Sequence, residues 1–187
     1  RNVRRLVALT LCGLLAACAT PFRDPEAPIA SHPGFEVSRF LGTWYEIARF
    51  PVEYLEGCYG TTMTYEARDE SGGLRLTYRC RNSGFDGPVQ QVRGTARETE
   101  TGQLQVWFVN NPALPTRQTV LWVDKGYQVA AIGVPDGRTG WILARSREIS
   151  AAQRAEAEQA LLKNGYDLSR LVTVPQVEKS GPDAPTR

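Results

Sequence analysis

The chain has one histidine, one methionine and no surplus of either charge: 22 Lys and Arg stand against 20 Asp and Glu in 187 residues. Such balance, with no basic cluster, gives no electrostatic ground for binding nucleic acid, whose recognition begins with neutralised phosphates. The one histidine, His32, lies in a proline-rich stretch, so no positioned imidazole is expected to serve as a general base. A Gly-x-Ser-x-Gly nucleophile elbow is also missing, and with it the usual serine route to hydrolysis. Long apolar runs are scarce too. Leu6 to Ala17 is the longest near the start, and as a helix its roughly twelve residues reach only about 18 Å, short of the roughly 30 Å of hydrocarbon that a spanning helix crosses.

That short run follows Arg1, Arg4 and Arg5 and ends in Leu14-Leu15-Ala16-Ala17-Cys18. A basic head, a brief apolar body and small residues before a cleavage point describe an export signal rather than a permanent anchor. The segment resembles a bacterial lipoprotein signal, whose lipobox cysteine is acylated and becomes the first mature residue. The resemblance implies a signal peptide over 1–17 and a lipid on Cys18. Ala19 in place of Asp implies outer-membrane sorting, with the domain facing the periplasm. An ordinary secretory signal with an incidental cysteine is the alternative. Removing residues 1–17 takes away three Arg and no acid, changing the net charge from +2 to −1.

Of the four cysteines, Cys12 falls in the signal and Cys18 at the acylation site, leaving Cys58 and Cys80 in the folded part. Export places them in an oxidising compartment, where a disulfide between them is expected. Two thiols and one distant imidazole fall short of a four-ligand zinc set, so no metal and no cofactor are expected. Two free buried thiols are the alternative to the bridge.

Residues 18–34 carry a proline every few positions and little to bury, which reads as an extended tether holding the domain at most about 50 Å from a bilayer; an ordered arm packed on the domain, more so from Phe35 onward, is the alternative. From Phe40 to Arg145, short runs rich in Val, Thr, Tyr, Trp and Phe alternate with Gly, Asp, Asn and Pro, the spacing of an all-β domain. Eight strands are predicted near 42–50, 59–68, 74–81, 89–98, 103–109, 119–124, 127–134 and 141–145. Short connections such as Lys125-Gly126 make consecutive strands antiparallel neighbours. A meander of eight hides its edges by closing into an up-and-down barrel with room for one small ligand; a two-sheet sandwich is the alternative. Ser150 with Gln153 has capping-box spacing before the helix formers of 151–163. A single helix packed on the barrel therefore follows, then a short ninth strand over 171–174. The barrel domain is set at 35–177, with a polar, disordered tail over 178–187.

Gly42-Thr43-Trp44-Tyr45 opening the first strand, with Trp141-Ile142-Leu143-Ala144-Arg145 on the eighth, resembles the first and third signature motifs of the lipocalins. Val123-Asp124-Lys125-Gly126-Tyr127 is a weaker match to the second. The run Trp44 to Phe50, the Gly-Tyr-Asp at 165–167 and the lipobox resemble the bacterial outer-membrane lipocalins in particular. The resemblance implies a barrel floor of Gly42, Trp44 and Arg145, with the guanidinium lying across the indole. Side-chain alternation sends Trp44, Glu46 and Ala48 inward, and Tyr45, Ile47 and Arg49 outward.

The same alternation gives a ligand-facing set of Tyr59, Thr61, Met63 and Tyr65 on the second strand and Leu76 and Tyr78 on the third. Gly94 and Ala96 on the fourth and Val106 and Phe108 on the fifth complete it. Tyr59 pointing inward sends Cys58 outward while Cys80 points in, unless the second strand starts irregularly. The lining is apolar with a few hydroxyls, suited to a fatty acid or lysophospholipid. The expectation is a lipid-anchored carrier with no catalytic residues, its partners being a hydrophobic small molecule and the membrane, with a homodimer kept open. Storage, transport or repair of envelope lipids would be its service. A lipid-modifying enzyme on the same barrel, with Glu46 the one acid to watch, and a structural lipoprotein with a filled barrel are the alternatives.

Overall fold

The computed structural model describes residues 20–69 and 72–176. Cys18, the signal and the polar tail fall outside them. The strands are β1 (Gly42–Arg49), β2 (Cys58–Ala67), β3 (Gly73–Asn82), β4 (Val89–Glu100), β5 (Gln103–Phe108), β6 (Asn111–Val123), β7 (Val129–Gly133), β8 (Gly140–Ala144) and β9 (Val172–Thr173). A short helix α1 (Val37–Phe40) precedes β1, and α2 (Ala151–Lys163) follows β8. Consecutive strands from β1 to β8 pair antiparallel, and β8 returns to β1. The sheet is a closed eight-stranded barrel, and closure leaves it no free edge. β9 is bonded outside it, to Ala48 and Arg49 of β1.

Two cores result. Inside the barrel, Trp44, Tyr65, Leu76, Val106 and Leu143 pack with Phe35 and Phe40. Outside it, α2 lays Ala157, Ala160 and Leu161 on Ala131, Ile142 and Ala144. The helix starts where the sequence predicts: the Ser150 side chain accepts from the Gln153 N–H, and the Gln153 side chain accepts from the Ser150 N–H. Two orphan donors of the first turn are thereby satisfied.

The predicted tether is corrected from residue 20 onward, where the chain is an arm packed on the barrel. Phe22 is buried against Phe50, with ring centroids 5.2 Å apart. Arg23 is 4% exposed and donates to the carbonyls of Asn164, Pro135 and Ala27. Prolines disfavour regular structure but do not forbid packing, and here an aromatic ring and a guanidinium that donates from each of its three nitrogens supply the contacts. The arm continues past His32, whose N–H donates to Val120 O at 2.7 Å, into α1. Phe40 then packs on Trp44 with ring centroids 4.6 Å apart.

Two bulges revise the alternation. Pairing of β1 with β8 slips between Glu46 and Ala48. Ile47 and Ala48 therefore both join the helix-side core, while Arg49, predicted to point outward, reaches Glu46 inside. Pairing of β2 with β3 slips between Tyr59 and Thr62, at Gly60 with φ +59°, a conformation L side chains rarely adopt. The slip turns Cys58 inward and Tyr59 outward.

Candidate ligand cavity

The floor is built from the ends of β1 and β8 and the turn before β7. Arg145 Cζ lies 3.8 Å from the centroid of the Trp44 ring. Its guanidinium donates to Thr43 O at 3.0 Å, Arg39 O at 3.1 Å and Leu41 O at 2.8 Å. Gly42 stands beside it, an added Cβ meeting Arg145 Nη1 at 3.2 Å. One cation thus covers an aromatic face and ties three backbone carbonyls, which seals that end. In the adjoining turn, the Asp124 carboxylate accepts from the N–H groups of Gln128 and Val129, each at 2.6 Å.

Above the floor the interior is solid. Tyr65, Leu76, Ala96 and Val106, predicted to face a ligand, are packed against Phe40, Trp44 and each other, because α1 and the arm insert rings that sequence alternation cannot foresee. Tyr65 donates its hydroxyl to Gln118 Oε1 at 3.3 Å across this layer. Gly94 faces inward but leaves no free volume. A Cβ there would meet Trp107 O at 2.7 Å, so its small size serves the close approach of β5.

Open space begins beyond Met63. A cavity of about 240 Å³ is lined by Met63, Tyr78, Val92, Phe108 and Trp141, with Gln90, Thr116, Gln118 and Thr139 as polar neighbours. Leu55, Tyr54, Asn110 and Leu114 stand around it toward the open end. Of the ten predicted ligand-facing residues, Met63, Tyr78 and Phe108 line this space. Thr61 is buried but does not line it. Tyr59 is corrected: it lies on the outer wall, edge to face with Phe85 at 5.4 Å. Sequence reading missed the β6 contributors because Pro112 and Pro115 mask a strand that begins at Asn111 rather than near Thr119.

Behind Tyr78, at one side of the cavity, lies a buried acid–base pair. Glu46 is fully buried, and Tyr78 donates its hydroxyl to Glu46 Oε2 at 2.7 Å. Arg49 stands 3.5 Å from the same oxygen and donates to Leu55 O at 2.6 Å. Burial pushes the Glu46 carboxyl up to about 7, opposed by the Arg49 charge and the hydrogen bonds from Tyr78 and Arg49. Burial and the same carboxylate push the Tyr78 hydroxyl well above its ordinary value. Gln176 closes the gap where β1 and β2 splay, its amide N–H₂ donating to Glu46 O at 2.7 Å and Thr61 O at 2.9 Å. Cys58 and Cys80 are disulfide-bonded beside this cluster and pack with Leu55. Among the described residues, Glu46 Oε1 and Trp141 Nε1 are buried with no partner. No cluster of metal-ligating side chains occurs among them either.

A closed barrel with a sealed end, an unsealed end and an apolar hollow between is the architecture of a single-site small-molecule binding protein. A family model described as a lipocalin-like domain matches residues 35–176. The chain belongs to the lipocalin family. It is 32% identical over 177 residues to the outer membrane lipoprotein Blc of Escherichia coli K12, covering 91% of this chain and 95% of that protein. With temperature-induced lipocalin-1 of Arabidopsis thaliana it shares 29% over 150 residues, 76% of this chain and 80% of the relative. In fold it is similar to H1 crustacyanin from the lobster Homarus americanus, with a TM-score of 0.63 at 16% identity over 84% of this chain and 90% of that one. The cockroach allergen Per a 4 gives 0.61 at 20% identity, over 82% and 97%.

Proposed function

We propose that this lipocalin is a lipid-anchored outer-membrane protein facing the periplasm, which holds one hydrocarbon chain of a fatty acid or lysophospholipid for storage, transport or repair of envelope lipids. The observation that carries the reading is the cavity of about 240 Å³ beyond Met63, apolar along Val92, Phe108 and Trp141 and polar toward Gln90 and Asn110. Its volume lies just below the common range of about 300 to 1,000 Å³ for ligand pockets, which favours a slim chain over a fused-ring ligand. At about 0.8 kcal/mol per buried methylene, an acyl chain that fills it reaches micromolar affinity after association costs. The outer-membrane setting is supported by the lipobox at Cys18 and by the name of the Escherichia coli relative.

The Glu46 carboxylate takes no reacting part in this reading. Tyr78 lines the space and donates to Glu46, which itself is not a lining residue. The test is lipid extraction and mass spectrometry of the protein purified from membranes. An acyl lipid near one per chain is expected, with a fluorescent fatty acid displaced by it in titration. Protein that carries no lipid and takes up no fatty acid overturns the carrier.

A further inference from the structure

We propose that the open end of the barrel is a membrane-docking face, resting on the lipid surface with Tyr54, Val109 and Leu114 at the interface. The proposal rests on the reading of Cys18 as the acylated residue and adds an orientation to it.

Because the strands run up and down, the connections after β1, β3, β5 and β7 all lie at the end opposite the Arg145 floor. Three large apolar side chains stand out into solvent on two of these connections and the start of β6: Tyr54 is 68% exposed, Val109 74% and Leu114 69%. Tyr54 and Leu114 also line the cavity, so at these two residues its apolar wall reaches the outside. Exposed apolar groups gathered at one place mark contact with a partner or a membrane.

The arm selects the membrane. Phe22 N–H donates to Gly137 O at 2.7 Å in the connection after β7, and Arg170 donates to Thr20 O at 3.2 Å and Pro21 O at 3.3 Å. Thr20 is therefore held at the open end. Cys18 is two residues further, a reach of at most about 7 Å. The floor lies a strand's length away, about 25 Å. A lipid on Cys18 thus draws the open end, not the floor, toward the bilayer. Charges at this end have both signs: Glu53 and Glu56 flank Tyr54, and Arg138 pairs with Asp136 at 3.5 Å. Contact is therefore apolar, with little dependence on salt.

The experiment places one new tryptophan at each end of the full, acylated chain, as Leu114→Trp and Lys125→Trp. Lys125 is an exposed residue of the floor turn. Each variant is incorporated in phosphatidylethanolamine–phosphatidylglycerol vesicles that contain brominated lipid. Quenching of the Leu114→Trp signal roughly twofold above wild type is expected, with Lys125→Trp unchanged from wild type. Flotation of the acylated chain but not of Cys18→Ala tests the anchor separately. A chain that floats while Leu114→Trp shows no added quenching overturns docking and leaves the anchor standing. Added quenching of Lys125→Trp overturns the orientation. A dimer in sedimentation that Leu114→Glu dissolves, without vesicle quenching, assigns the face to a second copy and overturns the proposal.

Discussion

Replacing Glu46 by Gln measures what it costs to keep a carboxyl inside the barrel wall. Loss of water moves this group from 4.5 up to about 7, against the pull of Arg49 and Tyr78. A carboxyl whose folded pKa lies above its unfolded one holds its proton more tightly in the folded chain. Its contribution to stability is thus fully present below about 4.5 and is lost as pH rises through 7. One pKa unit corresponds to about 1.4 kcal/mol, so Glu46 accounts for a fall of about 3 kcal/mol across that window. The amide in Glu46→Gln cannot ionise and carries no such fall. The assay is urea unfolding of both proteins from pH 4 to 8, read as the difference in unfolding free energy at each pH. His32 and the surface carboxylates titrate alike in the two proteins and cancel. The difference should move in favour of Glu46→Gln by about 3 kcal/mol between pH 4.5 and 7. A flat difference refutes the reasoning, and an opposite slope shows that Arg49 outweighs desolvation.

Arg145→Ala removes the stacking on Trp44 and three donors to carbonyls. A partly exposed site loses about 2 kcal/mol this way, a drop in Tm of about 4 to 8 °C by calorimetry. Arg145→Lys should recover little, since an ammonium cannot span the three acceptors. Phe22→Ala strips the buried ring that joins the arm to Phe50 and should cost about 3 kcal/mol in denaturant unfolding; a cost below about 0.5 kcal/mol would mean that the arm holds on without it. Val92→Trp fills the space between Met63 and Phe108 and should weaken fatty-acid binding at least about tenfold in titration, a loss of roughly 1.4 kcal/mol, while leaving the fold intact. Unchanged affinity would place the ligand elsewhere.

The strands and the helix are legible in the residues because each has a local cause, whereas the floor is legible only through the family resemblance. Turn residues bound the β runs, Ser150 and Gln153 cap the helix, and Trp44 and Arg145 sit at strand ends that closure brings together. Parity is not legible in the same way. Alternation carries a face assignment along a strand only until an extra residue intervenes, and nothing in Glu46-Ile47-Ala48 signals the slip that sends Arg49 inward. Gly60 is a usable signal for the second slip, since a glycine inside a β run often marks a bulge. The depth of the cavity is hidden for another reason. It is set by Phe35 and Phe40, which enter from outside the strands and fill the lower half. Phe22 and Arg23 lie among prolines, where composition argues against packing, and only the partners at Gly137 and Asn164 make the arm intelligible.

The irregularity in β1 has a consequence for how such barrels diversify. Since Ile47 and Ala48 share the outer side and Glu46 and Arg49 the inner, the chemistry of the upper wall depends on a count of residues as much as on their kinds. Losing or gaining a single codon there would exchange the ion pair behind Tyr78 for apolar side chains while the hydrogen-bonded framework stayed closed. A scaffold of this sort can change its taste in cargo in one step, without first having to invent a new shape.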